Sequence, residues 1–465
     1  MIQSQDVAAQ AGDGAVPAGL VGLDPAVARA VIDALETGRE ERASALVGAL
    51  HFAEVADLLE QLNPDHRAQV VDILMPAFPP QILPELVDAV FADIAARLGT
   101  RRLASAIAGL ESDDALLLIS ALDEVQQRQV MEAIPDALRN ALEQGLAYPE
   151  DSAGRLMQRD LVAVPTFWTV GETIDYLREA DSLPDDFYDI FVVDPGHRPV
   201  GVVALSHVLR TRRPVPMREL SRREVATVPV GMDQEEVAYA FAQKDLVSAP
   251  VVDDVGRLIG VITVDDIVDV IHQEAEEDLM RLGGVSETDI YEAVIDTGKA
   301  RFSWLFVNLV TAILASVVIG LFEATIAQIV ILAVLMPIAA SMGGNAGTQS
   351  LTVAVRAIAM RDLTSANAWR VLSKEGLVGL LNGVLFALIV GIVAWVWSGD
   401  LSIGLVMAAA MAITMVIAGL AGTAIPFCLS RTAIDPAIAS GVLLTTITDA
   451  IAFFAFLGLA AWWLL

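Results

Sequence analysis

The stretch DPAIASGVLLTTITDAIAFFAFLGLAAWWLL, from Asp435 to Leu465, sets one acid, Asp449, about halfway along an apolar run. About 20 predominantly apolar residues cross the hydrocarbon core of a bilayer, so this run is long enough to span one. A charge at that depth costs at least ~2.5 kcal/mol on insertion scales and persists mainly where it faces water, a partner or an ion. Its structural alternative is a buried acid bonded to a neighbouring helix. Thr445, Thr446 and Thr448 stand beside it in sequence.

Four further apolar runs precede it: Phe302–Phe322, Ile326–Ala346, Gly376–Trp397 and Leu401–Leu429, the last run being Pro436–Leu465. Five crossings put the two termini on opposite sides. Lys299 and Arg301 precede the first run, Arg356, Arg361, Arg370 and Lys374 lie between the second and third, and Arg431 lies between the fourth and fifth. The other two loops and the C-terminus have no Lys or Arg, so the positive-inside rule makes everything before Phe302 cytoplasmic and sets the C-terminus outside the cell membrane. The second run ends in MPIAASMGGNAGTQSL, where Pro337 removes a helical donor and Gly343, Gly344 and Gly347 weaken the helix. A break is expected there, with freed carbonyls beside Asn345 helping to hold a hydrated ion, as broken helices do in transporters. A Gly-rich packing interface is the alternative.

The chemistry favours a hard cation. Hydroxyls and carbonyls surround Asp449 in sequence, and no His, Cys or Met cluster suited to a soft metal accompanies them. Magnesium sheds water reluctantly and usually keeps several ligand waters, so one carboxylate touching a hydrated ion is sensible where an all-protein cage would need more acids.

With 465 residues the chain has room for about three domains. It is 55% hydrophobic yet carries a formal net charge of −30. The two facts belong to different halves, because 24 basic and 53 acidic residues precede Phe302. Such acidity excludes nucleic acid as a partner, which would need clustered Lys and Arg, and it attracts divalent cations. The lone Cys428 permits no intrachain disulfide. Residues 1–22 lack a basic region followed by an apolar core and read as a disordered leader rather than a signal peptide.

Residues 24–145 show short helical periods punctuated by Pro, as in FAEVADLLEQLNPDHRAQVVDIL (Phe52–Leu74) and SDDALLLISALDEVQQRQVMEAI (Ser112–Ile134). Asn63-Pro64-Asp65 and Ser112-Asp113-Asp114 read as helix starts, and the alternation suggests an all-α superhelix of stacked hairpins. Residues 155–273 contain a duplication: FVVDPGHRPVGVVALSHVL from Phe191 aligns without gaps on PVVDDVGRLIGVITVDDIV from Pro250. Upstream, VAVPTFWTVGETIDYLREA matches VATVPVGMDQEEVAYAFAQ, so each unit reads strand, helix, strand, Asp-containing turn, strand, helix. Between Asp265 and Asp278 there follow seven carboxylates and no Lys or Arg. Helical spacing places Asp266, Asp269 and Glu277 near one face, with Glu274 and Asp278 adjoining. Like charges there repel unless cations neutralise them.

The duplicated segment resembles a tandem α/β pair of CBS domains, about 155–213 and 218–273, which implies a regulatory cleft for adenine nucleotides such as ATP. Thr263 and Asp266 in GVITVDD sit where that family often contacts a ribose or phosphate. Over nearly the whole chain, the order of acidic helical domain, CBS pair, acidic linker helix (274–300) and five-helix membrane domain (302–465) resembles the MgtE family of magnesium transporters or channels. YPEDSAGRLM, RLGGV, MPIAASMGGNAGTQS and DPAIASG…TTITD sit where that family carries its motifs. The resemblance implies a homodimer with a pore near its axis, and closure when cytosolic Mg2+ screens acidic faces. It implies Asp449 as the pore carboxylate, Asn345 and Gly344 in the pore-lining loop beside Thr445 and Thr448, and Asp435 as a gating acid. It implies Asp266, Asp269, Glu274, Glu277 and Asp278 as sensor acids, Asp245 as a CBS acid, and Asp65 and Asp113 as further candidates. There are departures. Val442 stands where many members have Pro, Leu117 where another sensor acid would fit, and Lys244 beside Asp245 weakens the local negative field.

Two other readings remain: an exchanger in which Asp449 releases a proton or sodium as magnesium enters, and a membrane-anchored nucleotide sensor that moves nothing. No nucleophile–base set is visible, which argues against an enzyme.

Overall fold

The computed structural model describes residues 22–180, 183–184, 186–222, 225–285, 294–432 and 436–465. Residues 1–21 of the expected leader, Asp435 and residues 286–293 of the expected linker lie outside these. The chain divides into two compact units, Met1–Glu274 and Ala275–Leu465.

The first unit begins with short helices running from Pro25–Glu36 to Asp136–Leu146. Their ends are capped as the sequence leads one to expect at Asn63, which accepts from the His66 N–H at 2.9 Å with Pro64 in the first turn. Ser112 behaves differently. Glu111 occupies the cap position, and the Ser112 hydroxyl instead accepts the Arg159 N–H at 2.9 Å, tying this helix to the segment that follows. Two arginines close helix ends in the same way. Arg67 donates to the Leu59 and Leu62 carbonyls at 2.8 and 3.2 Å, and Arg139 to those of Met131 and Ile134 at 2.6 and 2.9 Å. These carbonyls have no intrahelical donor, so the guanidinium replaces lost hydrogen bonds. Leu58, Leu59, Ile82, Leu83, Phe91 and Ile94 fill the core, each contributing about 1.5–3 kcal/mol by burial.

Two three-stranded sheets follow, β1 (Ala163–Pro165), β2 (Asp189–Val193) and β3 (Pro199–Ala204), then β4 (Val228–Pro229), β5 (Ser248–Val252) and β6 (Leu258–Thr263). In each, the first strand pairs parallel with the second and the second antiparallel with the third. The duplication extends to its turns. Asp194 accepts from the Gly196 and Arg198 N–H groups, and Asp253 from those of Val255 and Arg257. The aligned residues His197 and Gly256 both take positive φ, 60° and 83°. Phe191, Val193, Leu258 and Val261 form a core shared by the two repeats.

The second unit holds five helices that are, among the described residues, long and apolar enough to cross a membrane. They are Val294–Gly320, Ile331–Ala359, Ala368–Ser398, Leu401–Leu429 and Pro436–Trp463, called here the first to fifth membrane helices. The fourth is central, burying Met407, Ala410, Met411 and Met415, whereas the first buries only Ala315 among its described residues. Glycines bring backbones together where lipid offers no hydrophobic drive. A Cβ on Gly379 would stand 2.7 Å from the Met415 carbonyl oxygen, and one on Gly422 2.5 Å from that of Gly347.

The second helix corrects the expected break. It runs unbroken from Ile331 to Ala359, through Pro337 and the Gly343–Gly347 segment. One lost hydrogen bond at Pro337 costs less than exposing a whole turn of backbone in an apolar medium. The glycines serve as contact points: the place of a Gly343 Cβ is taken by the Thr414 methyl at 2.5 Å, and that of Gly347 by Leu444 Cδ1 at 3.0 Å. Gly422→Val, whose side chain would meet backbone atoms, should therefore destabilise the unit by about 1–3 kcal/mol. A lower midpoint of monodispersity loss on heating in detergent, read by size exclusion, checks this.

Candidate functional site

In the first unit, the helix Ser112–Ala121 and the helix Val264–Gly283 face each other across a cavity of about 300 Å³. Its lining includes Asp113, Asp114, Asp266 and Asp269, with Glu150 and Asp151 on the connecting loop. Asp113 is buried, 8% exposed, and its Oδ1 has no hydrogen-bond partner among the described residues. Asp266 accepts from the Thr263 hydroxyl at 2.8 Å, which turns its carboxylate toward the cavity. Burial pushes the Asp113 carboxyl well above the usual range, and Asp114 raises it further. Burial and then Asp113 do the same to Asp266. Asp114 is pushed up to about 7 by burial and by Asp266. Burial also raises Asp269, and burial followed by Asp269 raises Glu85.

These carboxylates share the pocket with Arg155, whose guanidinium donates to the Ser120 hydroxyl at 2.8 Å, and each would gain from a cation. Among the described residues no three acidic, His or Cys side chains stand close enough to grip a bare metal.

The remaining acids are dispersed. Glu274 accepts from Gln234 Nε2 at 2.7 Å. Glu277 forms an ion pair with Arg281 one turn on, so the run of acids is partly neutralised by a residue just past it. Asp278 is half-buried on the same helix. Asp245 ends the helix Gln234–Lys244 in a left-handed conformation, φ 50°, and with Lys244 lines a separate cleft of about 1530 Å³. That cleft also includes Tyr188, Asp189, Arg222 and Ser248; Thr263 and Asp266 are not in its described lining. Asp65 is exposed in the first turn of its helix. Asp435 lies outside the described residues.

Asp114 is a lining residue that the sequence reading does not single out. Asp114 reads as one of two first-turn acids, and only the facing helix reveals that it looks onto Asp266.

In the second unit Asp449 is half-buried on the fifth helix and has no hydrogen bond or ion pair among the described residues. Thr448 is buried with its hydroxyl on the Leu444 carbonyl at 3.0 Å, and Thr445 is exposed with its hydroxyl on Gly441 at 2.8 Å. The place of a Gly343 Cβ lies 3.8 Å from Thr448 Cβ, which sets Gly344 and Asn345 at the level of Asp449. A Cβ on Gly344 would meet nothing within 4 Å, and Asn345, Thr348, Gln349 and Thr352 are exposed on the same helix. One further acid escaped the sequence reading. Glu375, just before the third apolar run, is buried at 9% exposed inside the third helix and accepts from the Ser350 hydroxyl at 2.9 Å.

A helical domain, a duplicated α/β module and five helices long and apolar enough to cross a membrane define a multidomain membrane protein. The profile described as divalent cation transporter, MgtE, matches residues 336–459, the MgtE intracellular N domain matches 50–151, and the CBS domain matches 153–213 and 217–273. Magnesium transporter MgtE of Thermus thermophilus is 32% identical over 445 residues, covering 94% of this chain and 98% of its own. That of Bacillus subtilis (strain 168) is 27% identical over 431 residues, covering 92% and 96%. A crystal structure of the cytosolic domain of the Mg2+ channel MgtE in complex with ATP is 30% identical, with TM-score 0.48, over 52% of this chain and 99% of that one. The chain belongs to the MgtE family.

The raised carboxyls make stability depend on pH. The folded protein holds protons that the unfolded chain releases near the ordinary carboxylate range. Stability is therefore full below that range and lost as pH rises through the folded values, about 7 for Asp114. Metal-free full-length protein should lose on the order of 2 kcal/mol between about pH 6 and about pH 8.5. Asp113→Asn should flatten that slope, and millimolar magnesium should restore the alkaline loss, both read from thermal midpoints.

Proposed function

We propose that this chain is a magnesium transporter that passes Mg2+ into the cell down its electrochemical gradient, gated by cytosolic Mg2+ at the acidic pocket of the first unit. One observation carries the transport reading: an unpartnered Asp449 at the level of an exposed polar stripe, Asn345, Thr348, Gln349 and Thr352. Polar side chains at membrane depth are unfavourable against lipid and persist against protein or water. A second copy of the chain closing that face would enclose the stripe as a wet path, which is the ground for a homodimer. Gly344 leaves open space where a Cβ would be, room for a hydrated ion beside the helix, while its carbonyl accepts from the Thr348 hydroxyl at 2.9 Å, and Thr445 is exposed one turn before Asp449.

No energy source is required. Moving a divalent ion inward through about −100 mV releases about 4.6 kcal/mol, twice the value per unit charge. The arginines and lysines of the loops favour a cytoplasmic first unit and an outward C-terminus. In the acidic pocket Asp113, Asp114, Asp266 and Asp269 would hold a hydrated Mg2+, whose charge offsets the repulsion that otherwise opposes closing the pocket. Glu274, Glu277, Asp278 and, beyond the described residues, Asp435 belong to the same gating proposal, and Asp65 and Asp245 are its outlying candidates. The cleft beside Lys244 and Arg222 has the size and the cationic side chains for an adenine nucleotide such as ATP.

Asp449→Asn should abolish magnesium uptake by proteoliposomes, and near-normal uptake by that variant would sink the transport reading. Reversal potentials that follow magnesium alone would separate passive flux from proton or sodium exchange. Replacing Asp113 and Asp266 together by Asn should leave flux at low internal magnesium intact. It should raise the inhibiting internal concentration by about tenfold, the usual scale of coupling between sites. Unchanged inhibition would remove the pocket from gating.

A further inference from the structure

Thr414, on the fourth membrane helix, is 1% exposed, and its hydroxyl has no hydrogen-bond partner among the described residues. Its neighbours behave otherwise: Thr348, Thr352, Thr423, Thr445, Thr446 and Thr448 each turn their hydroxyl back to a carbonyl of their own helix. The difference has a steric cause. The Thr414 methyl occupies the notch left by Gly343, 2.5 Å from where a Cβ would be, so the rotamer is set by the second helix. The same point lies 3.8 Å from Thr448 Cβ, so the second, fourth and fifth helices meet there. The next residues along two of those helices are Gly344 and Asp449. Thr448 sends its own proton to the Leu444 and Thr445 carbonyls at 3.0 and 3.1 Å, which leaves its oxygen free to accept another.

We propose that Thr414 is a positioning residue for the ion path: its methyl seats the second helix, and its hydroxyl is held for a hydrogen bond to Thr448 that forms in the conducting arrangement and sets the rotation of the fifth helix behind Asp449. A buried donor left without an acceptor is unfavourable in an apolar medium, so an arrangement that supplies one is favoured by that amount. The proposal rests on the reading of Asp449 as the pore carboxylate.

Thr414→Val keeps the shape and removes only the donor. Proteoliposome flux through Thr414→Val at saturating magnesium should fall by about tenfold, the scale of one hydrogen bond. The half-saturating concentration should be unchanged and the thermal midpoint equal to or above that of the native protein. Thr414→Ser, which keeps the hydroxyl but gives up the methyl that seats the second helix, should recover part of the flux. Thr414→Val combined with Thr448→Val should be no worse than the poorer single variant, because both remove the same bond. Native flux in Thr414→Val overturns the proposal, and so does a loss of flux that tracks a lowered midpoint and is not recovered by serine. Asp449→Asn in the same preparation separates the two readings. If it conducts normally the ion path itself is misassigned, whereas if it is silent and Thr414→Val conducts normally only the positioning role fails.

Discussion

Carboxylates held away from bulk water and in no ion pair among the described residues set the terms for both units. In the first, Asp113, Asp114, Asp266 and Asp269 line one cavity, and burial disfavours the charged form of each. In the second, Asp449 stands halfway along a membrane helix without an ion pair among the described residues. Elsewhere in the chain Glu277 pairs with Arg281 and Asp72 with Arg97, on side chains that remain partly exposed.

The scaffolds that hold them are of opposite kinds. The soluble unit is built from apolar cores and from side chains that complete helix ends, with Arg67 and Arg139 serving in the same role at two hairpins. The membrane unit gains little from hiding apolar surface, since lipid is equally apolar, and it relies on close approach of backbones at Gly343, Gly347, Gly379 and Gly422. That closeness brings Gly343, Thr414 and Thr448 of three helices together, next in sequence to Gly344 and Asp449 on two of them.

Some of this was readable along the chain, and the reasons are local. Helix starts at Asn63-Pro64 follow from the short-range chemistry of a cap, and the paired Asp turns at Asp194 and Asp253 follow from the gapless repeat. The five apolar runs and Asp449 follow from the cost of charge in hydrocarbon. The Gly343–Gly347 segment misled because helix propensity is measured in water. In an apolar setting the backbone's need for internal hydrogen bonds outweighs it, and the helix continues to Ala359.

Amino-acid order by itself determined the element types, the duplication, the membrane spans and the acid in the last of them, since each depends on neighbours within a few residues. The tertiary structure alone decided which acids meet. Asp113 and Asp266 lie far apart in the chain and become one site because two helices face each other, while Asp65 and Asp245, equally acidic, are left elsewhere. It likewise decided that Glu375 is buried against Ser350 and that Thr414 keeps an unspent hydroxyl. Burial and desolvation are properties of what surrounds a group in space, and no spacing along a chain encodes them.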